Sequence, residues 1–256
     1  MKVNEKEIVV NYLSKPDPSS EFESLYFKVR SKENRILSDA LVKQLPYLSN
    51  KESKHYKEWK VRAHSFEQLQ NYFSNKKSKL SVMDLGCGNG WTSAGLAKND
   101  LLSIAAVDLN LEEIKQAARI FVKPNLTFCY GNVFEDVFPT SSFDVIILNA
   151  CIQYFENLPE LISRLFYFLN PGGEIHILDT PFYSHQNIEA AKQRTLAYYT
   201  SIGFPQMAKH YFHHNLNDLK EFECEILSDS NYFLKRFKTL TVGIPSEFKC
   251  IRIFTP

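Results

Sequence analysis

Apolar and polar residues follow a regular pattern along most of this 256-residue chain. From about residue 81 onward, runs rich in Val, Ile and Leu are separated by stretches with helical periodicity. The pattern predicts strands at 81–86, 103–108, 125–130, 143–149 and 173–179, and helices at 91–98, 111–121, 158–169 and 187–201. Runs without polar alternation, such as Val145–Leu148, indicate strands buried on both faces. We therefore predict an α/β fold, a doubly wound and mostly parallel sheet covered by helices.

The segment before the first of these strands is predicted to be helical. Apolar and aromatic residues at helical spacing indicate helices over Ser38–Leu45 and Lys54–Phe73. An open α/β sheet binds ligands at the carboxyl ends of its strands, where such a segment can fold over them. We therefore predict a helical N-terminal cap over residues 1–77, a hinge near Ser74–Lys79, and a sheet domain over residues 78–256.

A glycine-rich turn follows the first predicted strand, with glycine at positions 86, 88 and 90. Glycine accepts a positive φ and has no Cβ, so a ligand can lie directly on the backbone N–H groups of such a turn. A dinucleotide-binding turn needs a further glycine where this chain has Trp91, which argues against a pyrophosphate loop. Asp108 ends the next predicted strand, where its carboxylate could accept hydrogen bonds from both hydroxyls of a ribose. Without that second acid, the turn would be equally consistent with a plain connection between strand and helix.

Five sequence motifs resemble, in order, those of the class I S-adenosylmethionine-dependent methyltransferases. They are Asp84-Leu-Gly-Cys-Gly-Asn-Gly90, Val107-Asp108, Gly131-Asn132, Phe143-Asp-Val-Ile-Ile-Leu-Asn149 and Leu169-Asn-Pro-Gly-Gly173. The match covers roughly residues 78 to 182. The resemblance implies a Rossmann-like domain, S-adenosyl-L-methionine as cofactor, and methyl transfer as the activity. It also implies a C-terminal antiparallel hairpin, which the runs Glu221–Leu227 and Lys249–Phe254 would fit.

The resemblance also implies which residues bind the cofactor. The amino-acid tail and ribose are expected to contact the backbone of Gly86, Cys87, Gly88, Asn89 and Gly90, and the ribose also Asp108 with Leu109. The adenine is expected to lie against Asn132 and Val133, and methyl transfer is expected beside Asn149 and Ala150. Family members more often have Asp where Asn132 stands, but an amide oxygen can still accept a hydrogen bond from the adenine amine. Cys151 is interpreted as a small buried hydrophobic residue rather than a nucleophile.

Three residues of the predicted cap are spaced so that they share one helical face: Tyr56, Trp59 and Arg62. Arg62 could pair with the cofactor carboxylate, while Tyr56 or Trp59 could shield the site from water. The same spacing equally describes an amphipathic helix that packs its Trp and solvates its Arg. Similar Trp and Arg cap segments in the resembled family favour the binding role.

The segment 181–214 follows the fifth strand of the predicted sheet and is rich in Tyr and His. We predict that it lines a pocket for the methyl acceptor, with Tyr154, Tyr183 and His214 as candidate catalytic residues. The alternative is a structural core of Tyr, Phe and His. The histidines at 185, 210, 213 and 214 lack a carboxylate or cysteine partner at ligand spacing, so no metal site is predicted.

Composition narrows the remaining choices. The chain has 30 basic and 29 acidic residues, so no strong overall field attracts nucleic acid or an anionic membrane. Its five cysteines are widely spaced and form no CxxC pair, which is typical of a reducing compartment. No signal-peptide pattern or membrane-spanning run is apparent, so we expect a cytoplasmic protein without membrane insertion.

The sequence favours methyl transfer to a small or medium, hydrophobic or aromatic organic acceptor. One alternative is an RNA or protein methyltransferase, which only the interrupted basic runs Lys51–Lys60 and Lys76–Lys79 support. Another is a non-catalytic protein that binds S-adenosylmethionine. Trp91 argues against a dehydrogenase, because it stands where a dinucleotide-binding turn needs a glycine. The acceptor atom and the oligomeric state are not encoded in any pattern recognised in the sequence.

Overall fold

The computed structural model describes residues 9–17, 19–227 and 250–256, which include one mixed sheet of eight strands. In chain order these are β1 (Asn11–Tyr12), β2 (Leu80–Leu85), β3 (Leu102–Asp108), β4 (Leu126–Tyr130), β5 (Phe143–Asn149), β6 (Leu169–Leu178), β7 (Cys224–Ile226) and β8 (Ile251–Phe254). Their spatial order is β1-β4-β3-β2-β5-β6-β8-β7. The first six strands are parallel to their neighbours, whereas β8 is antiparallel to β6 and β7 to β8. The predicted doubly wound α/β fold is therefore confirmed.

Helices connect the strands close to the predicted positions. They are α1 (Glu21–Lys32), α2 (Asp39–Val42), α3 (Tyr56–Ser74), α4 (Trp91–Leu96), α5 (Leu111–Ile120), α6 (Leu158–Phe168) and α7 (Ile188–Ser201), with short 3-10 helices at Ile152–Tyr154, Pro205–His210 and Leu216–Leu219. Asn110 and Asn157 cap α5 and α6, because their side chains accept hydrogen bonds from the backbone N–H groups of Glu113 and Glu160. Among the described residues, no helix has both the length and the apolar character needed to cross a bilayer.

Two apolar layers bury the sheet, one on each face. Val145 and Ile147 of β5 point to the face covered by α3, α4 and α5, while Ile146 and Leu148 point to the face covered by α6. All four side chains are at most 2% exposed. Because successive residues of a strand face opposite sides, a strand between two helical layers must be apolar throughout.

The N-terminal segment contributes more than the predicted helices. β1 pairs in parallel with β4 and so extends the sheet at one edge, and α1 was not predicted. The helix expected over Ser38–Leu45 is confined to α2, since the approach to Pro46 disfavours helical backbone. The helix expected over Lys54–Phe73 is present as α3. The division of the chain at residue 77 stays a prediction, and residues 1–8 lie outside the described part.

The C-terminal hairpin is confirmed in shorter form. β7 and β8 pair antiparallel, and the backbone N–H of Leu227 donates to the carbonyl oxygen of Cys250 at 2.8 Å. Lys249, the first residue of the predicted second strand, lies outside the described residues.

Candidate active site

The glycine turn between β2 and α4 has the backbone conformation that the sequence predicts. Gly86, Gly88 and Gly90 have φ values of +73°, +51° and +74°. A Cβ at Gly86 would lie 2.5 Å from the Cβ of Cys151, and one at Gly90 would lie 2.5 Å from a ring carbon of Phe128. A side chain at Gly86 or Gly90 would therefore clash with its neighbours and would also be strained by the positive φ. At Gly88 a Cβ would approach only the carboxylate of Glu113, at 3.2 Å, so this position is the more open one.

Asp108 at the end of β3 holds the glycine turn in place. The backbone N–H of Gly88 donates to its Oδ2 at 2.7 Å, and that of Asn110 donates to its Oδ1 at 2.8 Å. Burial raises the pKa of Asp108, and these two hydrogen bonds oppose that rise. Because a carboxylate oxygen can accept more than one hydrogen bond, lone pairs remain for a ligand.

A cavity of about 490 Å³ opens above the glycine turn at the carboxyl edge of the sheet. That volume is within the usual range of small-molecule sites, about 300–1,000 Å³. Its floor is formed by Asp84, Gly86, Cys87, Gly88, Asn89, Trp91, Thr92, Asn149 and Ala150. Much of the remaining wall comes from α1, α3, α7 and the segment around Tyr154. These elements surround the carboxyl edge of the sheet, which is where α/β proteins bind ligands.

Several polar atoms in this floor are buried without a protein partner. The Oδ1 atoms of Asp84, Asn89 and Asn149 have no hydrogen bond within the described structure. The other oxygen of Asp84 accepts a hydrogen bond from Ser93 Oγ at 2.5 Å. Burial raises the pKa of Asp84 to about 7, although the bond from Ser93 lowers it. Buried acceptors without donors are costly, so these atoms are suited to a ligand that brings ammonium or hydroxyl groups.

Two arginines share one carboxylate on the α3 side of the cavity. Arg35 contacts both oxygens of Glu58, at 2.9 and 2.7 Å, and Arg62 Nε contacts Oε1 of the same residue at 3.2 Å. Burial would raise the pKa of Glu58, but the hydrogen bond from Arg35 and the charge of Arg62 lower it to about 2. Arg35 Nε also lies 3.3 Å from Glu33, so two guanidiniums meet two carboxylates here. A ligand carboxylate could use the N–H donors of Arg35 and Arg62 that these pairs leave available.

The structure brings some of the predicted cap and adenine residues to the cavity and leaves others outside it. Trp59 and Arg62 line it, and the Trp59 ring packs edge-on against Trp91 with centroids 5.5 Å apart. Tyr56 is half-buried and outside the cavity wall. Five further predicted residues, Gly90, Asp108, Leu109, Asn132 and Val133, are also outside the wall. Leu109 packs against the core, the Asn132 backbone N–H donates to Ser14 Oγ at 2.9 Å, and Val133 is buried.

The side of the cavity away from α3 is an aromatic wall, formed by Tyr26, Tyr154, Tyr183, Tyr198, Tyr199 and Tyr211. Tyr154 makes edge contacts with Tyr26 and Tyr211, with ring centroids 5.4 and 6.1 Å apart. Tyr26 comes from α1, Tyr198 and Tyr199 from α7. Val29 and Met207 fill the space between these helices. The wall therefore exists only because α1 packs against the segment 181–214.

No histidine lines the cavity in the described part of the chain, which corrects the expected role of His214. The His214 side chain is 4% exposed, and its Nε2 lies 2.9 Å from the carbonyl oxygen of Ile152. Burial lowers its pKa. His213 contacts Thr195 Oγ1 at 2.9 Å. His214 thus links the segment 181–214 to Ile152, and His213 links two parts of that segment, so both rings have structural contacts, as in the alternative interpretation. Nor do three His, Cys, Asp or Glu side chains of the described residues meet as metal ligands.

Sequence reasoning gave no role to α1 or to Asp84. α1 supplies Tyr26, Val29 and Arg30 to the cavity, and Arg30 lies 3.6 Å from Glu113 on the opposite wall. A signal was available, since Ser20 precedes two acidic residues in the first turn and two basic residues close the helix. Asp84 is the last residue but one of β2 and belongs to a recognised motif, but its unpartnered oxygen depends on burial that only the fold supplies.

A twisted parallel sheet with a glycine turn beneath a cavity at its carboxyl edge defines a Rossmann-like, nucleotide-binding class of protein. The family model described as "Methyltransferase domain" matches residues 76–225, more than half of the chain. The chain therefore belongs to this family, the class I S-adenosylmethionine-dependent methyltransferases.

Individual relatives support the same family. An uncharacterized methyltransferase of Mycobacterium tuberculosis is 27% identical over 38% of this chain and 49% of its own length. The ubiquinone biosynthesis O-methyltransferase of Rickettsia typhi is 28% identical over 66% of this chain and 67% of its own length. Thus the chain spans about half the length of the first of these relatives. A solved structure of a phosphoethanolamine N-methyltransferase from Haemonchus contortus has a TM-score of 0.56 at 17% identity, covers 94% of this chain and 61% of its own, and shares the fold.

Proposed function

We propose that this protein transfers the methyl group of S-adenosylmethionine to a small or medium organic molecule with a hydrophobic or aromatic body. The observation that carries the proposal is the cavity itself. It joins the glycine turn, which the family uses for its cofactor, to the aromatic wall in one continuous space. A cofactor and an apolar acceptor could thus lie side by side.

The residues around the glycine turn fit the cofactor chemically. The unpartnered Oδ1 of Asp84 suits an ammonium group, and the guanidinium N–H donors of Arg35 and Arg62 suit a carboxylate. Asp108 is proposed to hold the ribose, with Leu109, Asn132 and Val133 forming the adenine end. When bound, S-adenosylmethionine supplies an electrophilic methyl group.

The protein's own contribution is proposed to be alignment and exclusion of water. Holding the acceptor in line with the methyl group can supply about 7–11 kcal/mol of the barrier. Asn149 and Ala150 mark the junction between the two parts of the cavity, with Tyr154 beside them. Burial raises the pKa of Tyr154 and of Tyr183, so their hydroxyls stay protonated and orient the acceptor as hydrogen-bond donors. We propose no enzyme-derived base.

The alternative acceptors have less support. An RNA or protein methyltransferase would need a broad, basic surface, whereas this part of the cavity is a wall of tyrosines contributed mainly by α1, α7 and their neighbours. The relative in Rickettsia typhi is named for a small organic product, which agrees with a small acceptor. A protein that binds the cofactor without catalysis would share the glycine turn but would have no need of the aromatic wall.

Calorimetric titration with S-adenosylmethionine and with NAD tests the cofactor. We expect S-adenosylmethionine alone to bind, and Asp108→Ala to weaken its binding by about 10- to 100-fold, as expected for loss of a charge-assisted contact. Asp100→Ala, at an exposed acid outside the cavity, is the matched control. Equal affinity in the folded Asp108→Ala variant would contradict the proposed ribose site. Transfer of labelled methyl groups into a metabolite extract then tests the activity.

A further inference from the structure

One face of α7 lines the cavity along its whole length. Ala191, Arg194, Thr195, Tyr198 and Tyr199 all contribute to the wall, and this spacing of three and four residues is a single helical stripe. Arg194 therefore lies on the cavity face of α7, between Ala191 one turn before and Tyr198 one turn after.

The other charged groups near this stripe are already paired. Glu33 accepts a hydrogen bond from the Tyr198 hydroxyl at 2.6 Å and lies 3.3 Å from Arg35 Nε. Arg30 pairs with Glu113, and Lys192 lies 3.8 Å from Glu189 on the outer face of the helix. Arg194 forms no ion pair with any described residue. The aromatic wall therefore carries one uncompensated positive charge.

Tyr183 lines the same cavity as Arg194. Burial raises the pKa of Tyr183 and the charge of Arg194 opposes that rise, while the Tyr183 ring lies 5.1 Å from that of His213. A guanidinium has only N–H donors and no acceptor, and the protonated Tyr183 hydroxyl adds one O–H donor to the same cavity. Such a pair recognises an oxyanion.

From this arrangement we infer that the acceptor is an organic anion, whose carboxylate or phosphate group binds Arg194 and Tyr183 while its apolar body lies against the aromatic wall. The inference rests on the proposed function and specifies its substrate class. Arg194 is a specificity-determining residue and has no part in cofactor binding. An exposed guanidinium at the rim also favours charged substrates by electrostatic attraction.

The first test uses protein saturated with S-adenosylhomocysteine and three probes of similar shape. 4-Hydroxybenzoate and phenyl phosphate carry the two candidate anions, and 4-hydroxybenzyl alcohol is neutral. We expect at least one anion to bind about 10-fold or more tightly than the alcohol, and the better anion to identify the group recognised. This preference should disappear in Arg194→Met, persist in part in Arg194→Lys, and be unchanged in Lys192→Met. A preference for the neutral probe, or one that survives Arg194→Met, would overturn the inference.

The second test uses the products of labelled-methyl transfer in a metabolite extract. We expect the labelled product to be retained on an anion exchanger at pH 8. With the acceptor identified from that product, Arg194→Met should raise the KM for the acceptor by about 10- to 100-fold and leave the Kd for S-adenosylmethionine unchanged. A labelled product that passes the exchanger would refute an anionic acceptor but leave methyl transfer intact. Absence of S-adenosylmethionine binding in the wild type would instead refute the proposed function.

Discussion

Asp84 shows how a single buried residue can link ligand binding to stability. Its carboxyl group is 1% exposed, with one oxygen bonded to Ser93 and the other without a partner. Burial raises its pKa from 3.8 to about 7, so the folded protein holds the proton more tightly than the unfolded chain. The resulting stability is present in acid and is lost as pH rises through 7.

The first prediction follows from this sign. Asp84→Asn removes the ionisable group while keeping its size, so it should stabilise the protein relative to wild type at pH 8 and have little effect at pH 4, close to the pKa of 3.8 in the unfolded chain. Urea unfolding without cofactor at the two pH values measures the difference. Asp100→Asn, at an exposed surface acid, is the control. A difference in unfolding free energy that does not change with pH would show that Asp84 does not titrate in this range.

The second prediction distinguishes backbone strain at the glycine turn from contact between the turn and the cofactor. Gly88 and Gly203 both have positive φ, +51° and +89°, but only Gly88 lies in the cavity floor. Alanine at either position should cost about 1–2 kcal/mol of unfolding free energy, because both force a left-handed conformation on a residue with a Cβ. Only Gly88→Ala should also weaken S-adenosylmethionine binding. If titration gives both variants wild-type affinity, the cofactor does not lie on the turn.

At the scale of elements, α1 and α3 both contribute to the wall of the cavity. α1 packs through Val29 against Tyr199 and Met207, whereas α3 is anchored on the sheet through Phe66 and Phe73. The two helices are linked by the Arg35 contact with Glu58. This linkage makes closure of the cavity a property of both helices together.

The third prediction concerns this closure. S-adenosylhomocysteine should slow amide hydrogen exchange over residues 54–66 and over α1, because Arg62 and Arg35 gain a carboxylate partner. α6, on the far face of the sheet, provides an internal control, since none of its residues lines the cavity. If the amides of α3 exchange equally fast with and without ligand, then Arg62 contacts only Glu58 and not the ligand.

At the scale of the whole molecule, the cap and the sheet share one hydrophobic core. The Phe66 ring of α3 fills the space above Gly95 of α4, where a Cβ would lie 2.3 Å from its Cζ. Trp59, Leu69 and Phe73 join the same cluster as the strands. α3 is therefore packed into the core of the sheet, whereas α1 packs in a separate cluster with Tyr199 and Met207.

The fourth prediction tests that shared core. Phe66→Ala should lower the unfolding free energy by about 3–5 kcal/mol, through lost burial and an unfilled cavity. Phe27→Ala, at a phenylalanine of α1 that is 43% exposed, should change it by less than about 1 kcal/mol. A single cooperative urea transition is expected in both variants. Two separate transitions in Phe66→Ala, or a change as small as in Phe27→Ala, would show that α3 is only loosely attached.

Local signals accounted for much of the sheet and of the glycine turn. Continuous apolar runs such as Val145–Leu148 predicted buried parallel strands, and the positive φ of Gly86 and Gly90 followed from residue type. β1 has only two residues, Asn11–Tyr12, so no periodicity could reveal it. His214 was assigned a chemical role because its neighbours in sequence are aromatic, yet its partner Ile152 is 62 residues away.

The sequence alone determined the α/β class, the order of its main elements, the family and hence the cofactor, because each depends on local periodicity or on residues adjacent in the chain. Tertiary structure decided which side chains share the cavity. It placed Tyr26 beside Tyr154, set Arg35 and Arg62 on Glu58, and left Arg194 without an ion-pair partner among the described residues. Burial and charge pairing depend on the distance between residues far apart in sequence, and only the packed chain fixes those distances.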